Sequence, residues 1–122
     1  MTTALRTAIY QKLVSELTDY TVRYWNAQRD VVYPYCTYKI IANTRQHYKD
    51  NTVLRIELFS KSTTEIETAT RKIEKLQGET LQGTNLSFFL VHRNTEFLDD
   101  IETNEVKRRQ IDFVCKFYER EV

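Results

Sequence analysis

Apolar residues repeat along this chain with two different periods. Leu5, Ile9, Leu13 and Leu17 recur every four residues, with Ala8 and Val14 beside them. That spacing predicts an amphipathic helix over residues 3–18, capped by Thr2 or Thr3, with Arg6, Gln11, Lys12 and Ser15 on its outer face. From Tyr35 the period falls to two: Cys36, Tyr38 and Ile40 alternate with Tyr35, Thr37, Lys39 and Ile41. Residues 52–60 alternate in the same way, with Leu54, Ile56 and Leu58 against Val53, Arg55, Glu57 and Phe59. Two alternating runs joined by the polar segment 42–52 predict an antiparallel hairpin, with Asp50-Asn51 supplying turn chemistry.

The period then returns to that of a helix. Ser62 and Glu65 have the spacing of a capping box, and Ile66, Ala69, Thr70, Ile73 and Leu76 make one stripe. Glu67 and Arg71 stand on the solvent side, and Gly78 sits where a helix stop is expected. Residues 86–92 read as a strand, residues 94–106 as an acidic excursion, and residues 107–119 as a long final strand. In that strand Ile111, Phe113, Cys115 and Phe117 share a face. Residues 19–34 permit a short strand at 20–25, followed by a polar loop at 26–30. Pro34, which cannot donate a ladder hydrogen bond, marks the point where an extended lead-in becomes a paired strand.

The order helix, hairpin, helix, hairpin predicts an α+β fold. It would be one domain over residues 1–122, with a single antiparallel sheet of about four to five strands and two helices packed on one face. Its core should contain Leu54, Ile56, Leu58, Ile66, Ile73, Phe113 and Cys115.

Composition narrows the function classes. The 18 Lys+Arg against 17 Asp+Glu leave a formal charge of +1, which gives no basic footprint for nucleic acid. Only 2 glycines are present, too few for phosphate-cradling loops. No continuous apolar segment reads as a signal peptide or a membrane span. Cys36 and Cys115 fall within apolar strand patterns and read as buried free thiols. With His47 and His92 they offer zinc-ligand chemistry, but not the paired short spacing of a zinc site. No local signature makes either thiol a nucleophile. Glu96, Asp99, Asp100, Glu102 and Glu105 lack the alternating oxygen ligands and the glycine of a calcium loop. The expectation is therefore no catalytic residue, no metal and no cofactor. Tyr20, Tyr24, Trp25, Tyr33, Tyr35 and Tyr38 suit a protein interface, or alternatively a small nucleic-acid-binding module with an aromatic surface.

The element order also resembles a known family. Pro34, Tyr35 and Tyr38 form a "PY-x-x-Y" strand. Arg55 to Phe59 run through Ser60 straight into a helix, and Arg108, Arg109, Ile111, Asp112 and Phe113 open the last strand as "RR-x-I-D-F". In these features the chain is similar to the tail terminator, or tail-completion, proteins of long-tailed bacteriophages and prophages, which include head-to-tail joining proteins. The resemblance implies a non-enzymatic virion part, assembled as a ring with copies of itself, commonly a hexamer. Its partners would be the tail tube protein and a head-completion or connector protein, with DNA only as cargo through the lumen and no membrane. Its place would be the tail–head junction, reached from the host cytoplasm during assembly. A neck or connector protein of the same virion is a further alternative.

A ring subunit needs assembly surfaces, and two segments are free for them. One is 43–50, with Arg45, His47, Tyr48 and Lys49. The other is 94–109, with Phe97 and Leu98 as apolar anchors, Asp99 and Asp100 as acidic contacts, and Arg108 and Arg109 as basic ones.

Overall fold

The computed structural model describes residues 3–24, 33–46, 49–83, 86–98 and 106–119. Its elements run in the order α1 (Thr3–Glu16), β1 (Thr21–Tyr24), β2 (Tyr35–Gln46), β3 (Lys49–Ser60), α2 (Thr63–Glu74), β4 (Thr80–Gly83), β5 (Leu86–Phe97) and β6 (Lys107–Glu119). The strands form one six-stranded sheet in the order β1-β2-β3-β6-β5-β4. The fold is α+β with two helices, as expected, but the sheet has six strands and is mixed. β1 pairs parallel to β2, Thr21 opposite Tyr35. Alternation reports which face a residue takes, not the direction of its partner, so the parallel pair was invisible in the pattern. β4 was missed because its four residues, TLQG, carry a single large apolar side chain, Leu81.

Parts of two expected loops are strand. β2 and β3 stay paired out to Gln46 opposite Lys49, and β5 runs on to Phe97. Ladder hydrogen bonds need no apolar face, so these pairings continue where the hydrophobic pattern stops. The polar loop at 26–30, Trp25, Thr2 and most of the acidic excursion lie outside the described residues.

Both helices pack on one face of the sheet and share its core. Leu5, Ile9, Leu13 and Leu17 of the first helical stripe meet Ile66, Ala69, Ile73 and Leu76 of the second. Beneath them lie Cys36, Tyr38, Leu54, Ile56, Leu58, Phe88, Leu90, Ile111, Phe113 and Cys115. All seven residues expected in the core are fully buried. Each large side chain there contributes about 1.5–3 kcal/mol relative to exposure. Val14, expected on the stripe, is 41% exposed, because the four-residue spacing already fills the buried side with Leu13 and Leu17.

α2 starts as its sequence dictates, with one substitution of partner. The Ser62 hydroxyl accepts the Glu65 backbone N–H at 3.3 Å, the forward half of a capping box. The return half is relayed: buried Ser60 accepts the Ser62 N–H at 3.1 Å and donates to the Glu65 carboxylate at 3.3 Å. Beyond the helix Gly78 takes φ +80, and its N–H bonds the Leu90 carbonyl at 2.9 Å. That left-handed turn brings the chain back against β5, and glycine adopts it without strain.

Candidate assembly interface

The two candidate segments stand at opposite ends of the sheet. Asp50 at the start of β3 faces Phe117, whereas Ser60 at its end faces Lys107. Ten residues of strand separate these ends, which is about 34 Å. Arg45 and Lys49 therefore belong to one pole, where they are backbone of a ladder and not loop. Phe97, Leu98, Arg108 and Arg109 belong to the other, where Phe97 pairs with Arg109 and the Leu98 N–H bonds the Arg108 carbonyl at 2.9 Å. His47, Tyr48, Asp99 and Asp100 lie outside the described residues. The six described candidates thus fall at two opposite ends of the sheet.

Strand geometry sends the paired arginines to opposite faces. Arg108 points away from the helices, where its guanidinium meets the Glu57 carboxylate at 2.6 Å and lies over the Phe59 ring at 5.4 Å. Arg109 points toward the helix side and is buried. Its guanidinium carbon sits 4.2 Å from the centre of the Phe97 ring, and its Nη1 donates to the Arg108 carbonyl at 3.1 Å.

Phe97 is 71% exposed. Its contact with Arg109 is worth about 0.5–1 kcal/mol at an exposed site, less than the roughly 1.5–3 kcal/mol that burying a phenylalanine contributes. Folding alone leaves this ring mostly in water, so a partner surface would gain what the monomer does not. Beside it a cavity of about 300 Å³ opens between β5 and α2, lined by Glu67, Thr70, Arg71, Glu74, Thr95 and Arg109. On the other flank of α2 lies a second cavity of about 310 Å³, reached from the α1–β1 turn. Sequence reasoning missed both, because each joins segments far apart in the chain.

On the face turned from the helices, charge is paired. Arg55 binds Asp112 through two hydrogen bonds, at 2.9 and 3.1 Å. The Asp112 hydrogen bond raises the Arg55 pKa and holds the guanidinium charged. Glu57, Gln110 and Asp112 are buried there although no helix covers them, because long side chains lie across one another.

The expected aromatic cluster is divided by the sheet. Tyr24 and Tyr38 meet edge to face at 5.2 Å on the helix side, with the Arg6 guanidinium 3.7 Å over Tyr24. Tyr35 stacks on Phe59 at 4.3 Å on the far face, and Tyr33 leans on Tyr35 at 5.3 Å. The stretch around Pro34 therefore does both jobs: Cys36 and Tyr38 enter the core while Tyr33 and Tyr35 pave the opposite face.

Cys36 and Cys115 are free and fully buried. Burial pushes both thiols up, Cys115 to about 12 and Cys36 further. His92 Nε2 lies 2.7 Å from the Thr95 hydroxyl, which donates to the Glu74 carboxylate at 2.9 Å, so Thr95 joins β5 to α2 with His92 bonded behind it. Among the described residues no three His, Cys, Asp or Glu side chains converge as a metal site. No described helix is long and apolar enough to cross a membrane.

No protein-family model and no curated protein matches the sequence. Solved structures do match the fold. A chain of the virion of native gene transfer agent (GTA) particle superposes with a TM-score of 0.65 at 15% identity, covering 93% of this chain and 94% of that one. This chain has the fold of a virion chain. A second solved structure, a protein without a stated role, has a TM-score of 0.63 at 10% identity and covers 98% and 94% of the two chains. In both the overlap runs nearly end to end, so the whole αβ unit is shared and not a single hairpin.

Proposed function

We propose that this chain is a structural component of a phage-like virion. It caps the tail tube as a ring and offers the surface on which tails and heads join. The observation that carries the reading is the near-full-length fold match to a chain of the gene transfer agent virion. Two features of this chain support it. Its candidate contact segments lie at opposite poles, as a part set between tube and head requires. One pole carries an aromatic ring, Phe97, left largely unburied by folding. The role is non-enzymatic, with copies of itself, the tube protein and a head-completion or connector protein as partners. DNA is cargo: a formal charge of +1 suits a lumen that does not grip phosphates, because many phosphate contacts make binding tight and salt-dependent.

A second reading has one observation in its favour. Tyr33, Tyr35 and Phe59 share the far face, with Lys61 Nζ 5.2 Å over the Tyr33 ring and Arg108 over Phe59. Single-stranded nucleic acid binds such aromatic and cationic surfaces. Against it, Tyr35 and Phe59 stack on each other and Arg108 is neutralised by Glu57.

The test is assembly without this chain. Particles made in its absence should appear in electron micrographs as filled heads beside unjoined tails of uncontrolled length. Joined particles with tails of normal length would refute the proposal. Tight, salt-sensitive binding of a labelled single-stranded oligonucleotide, lost in Tyr35→Ala, would favour the second reading.

A further inference from the structure

The sheet ends in two half-covered edges. β1 pairs with β2 only from Tyr35 to Tyr38. β4 pairs with β5 only from Leu86 to Phe89, and the next contact there, Gln77 with Leu90, is a single bridge. Among the described residues, no strand pairs with the outer side of β2 over residues 40–46 or with that of β5 over residues 91–97. The Leu98 N–H turns inward to the Arg108 carbonyl, so strand alternation turns the Thr95 and Phe97 amides outward. An open strand edge is a template for pairing with another chain. We infer that residues 92–97 of β5 in one copy of this chain pair antiparallel with residues 41–46 of β2 in the next, so that the sheet continues from copy to copy. The inference rests on the ring reading above and names its subunit junction.

Three observations select a second copy as the partner. The first is direction. Three antiparallel pairings, β2 with β3, β3 with β6 and β6 with β5, leave β2 and β5 running in opposite senses. Rotation about an axis near the strand direction keeps those senses, so β5 of one copy meets β2 of the next as an antiparallel pair. The second is shape. β1 covers β2 at the pole of Phe59 and Arg108, whereas β4 covers β5 at the pole of Glu119. The open halves are therefore diagonal, and two copies offset along the strands fit with neither short strand in the way. The third is closure. Residues facing each other across a junction must share a face of the sheet. Position 94 lies in a row with Asp112 and Arg55, and position 44 in a row with Asn51 and Lys116. Both rows belong to the helix-free face, since Asp112 and Lys116 are an even number of residues apart on β6. Setting 94 opposite 44 offsets successive copies by the step from Arg55 to Asn51, about 14 Å. The repeat across β2, β3, β6 and β5 is four strand spacings, about 19 Å. That ratio tilts the strands about 35° from the ring axis, a tilt at which sheets close into barrels. A heterologous contact closes only by such a rotation without net travel along the axis. The bulges between His92 and Asn94 and between Ile40 and Ala42 bend both junction strands, as a closing sheet requires.

The test reads the backbone and then the register. Hydrogen exchange of wild-type protein is followed in dilute monomer and in the assembled state. The Thr95 and Phe97 amides should exchange rapidly in the monomer and slow by about tenfold or more on assembly. Protection already present in the monomer would mean that the chain covers its own edge, and would overturn the junction. Glu96→Cys and Ala42→Cys stand directly opposite in this register, at the roughly 5 Å Cα spacing that a disulfide spans. Glu96 is exposed and the junction is made by backbone, so neither substitution deletes it. Unfolding midpoints compared with the wild type verify folding, and the native thiols are buried and stay silent under mild oxidation. Mixing the two single variants under oxidising conditions should give a disulfide-linked dimer that neither gives alone. The double variant should give a ladder on a non-reducing gel that ends at one closed species. A dimer from Glu96→Cys alone shows β5 pairing with itself and overturns the junction. A mixture that gives no dimer, while wild-type protein forms rings in electron micrographs, overturns the junction and leaves the ring reading standing. A mixed dimer with an endless ladder supports the junction and contradicts the ring. No dimer together with no wild-type ring refutes both.

Discussion

Cys36 and Cys115 lie on different strands of the same face, each with no exposed surface. Their chemistry follows from that placement. A thiolate in the apolar layer would be unsolvated, so burial keeps both thiols protonated, Cys115 up to about 12 from an ordinary 9.0. The consequence for stability has a definite sign. The unfolded chain releases these protons as pH passes about 9, while the folded chain retains them. The stabilisation is full below pH 9 and is lost progressively as pH rises toward 12. Buried Tyr38 and the half-buried Tyr20 and Tyr35 shift upward too, chiefly by desolvation, and add to the same alkaline loss. Two outcomes are expected. At pH 8 a thiol reagent should label the folded protein only as fast as it unfolds. Denaturation midpoints should fall between pH 9 and 11, and less steeply in a Cys36→Ala, Cys115→Ala variant. Rapid stoichiometric labelling of native protein would show that the thiols are accessible and the register is wrong.

At the scale of elements, α2 is the piece whose legibility and limits are clearest. Its buried stripe, its solvent pair and its Ser62 cap follow from side-chain spacing that a helix imposes locally. The part played by Ser60 was not legible. It lies outside the helix, and its role arises only because β3 delivers its hydroxyl under the first turn. This separates two substitutions. Ser62→Ala removes one cap bond and should cost about 1 kcal/mol. Ser60→Ala removes an acceptor and a donor at a site 1% exposed, leaves the Ser62 N–H and the Glu65 carboxylate without it, and should cost about 1–3 kcal/mol. Urea denaturation of the two variants checks the order; an equal or smaller loss at Ser60 would mean that the relay contributes nothing. The same division holds elsewhere. The core faces of β2, β3 and β6 were readable because burial imposes a period of two. The parallel edge β1, the four-residue β4 and the polar outer half of the β2–β3 hairpin were not. Backbone pairing holds them, and it leaves little trace in side-chain pattern. Of the candidate surface, Phe97 and Leu98 were readable as apolar residues in a polar setting. The cavity lined by Asp19 and Thr68 was not, since it forms only where the α1–β1 turn comes beside α2.

At the scale of the molecule, a two-helix cover gives the sheet one apolar face and leaves its far face to Arg55–Asp112 and Arg108–Glu57 pairs. The two ends of the sheet remain for partners. In the proposed function those two ends meet tube and head, as a ring between two larger bodies requires. The account therefore stands or falls on where this chain sits in an assembled particle. Cryo-electron microscopy of particles carrying a small fused tag on this chain decides it. The account predicts one ring of tag density per particle, at the head-proximal end of the tail. Tag density repeated along the tube, or assembled particles without any, would contradict it.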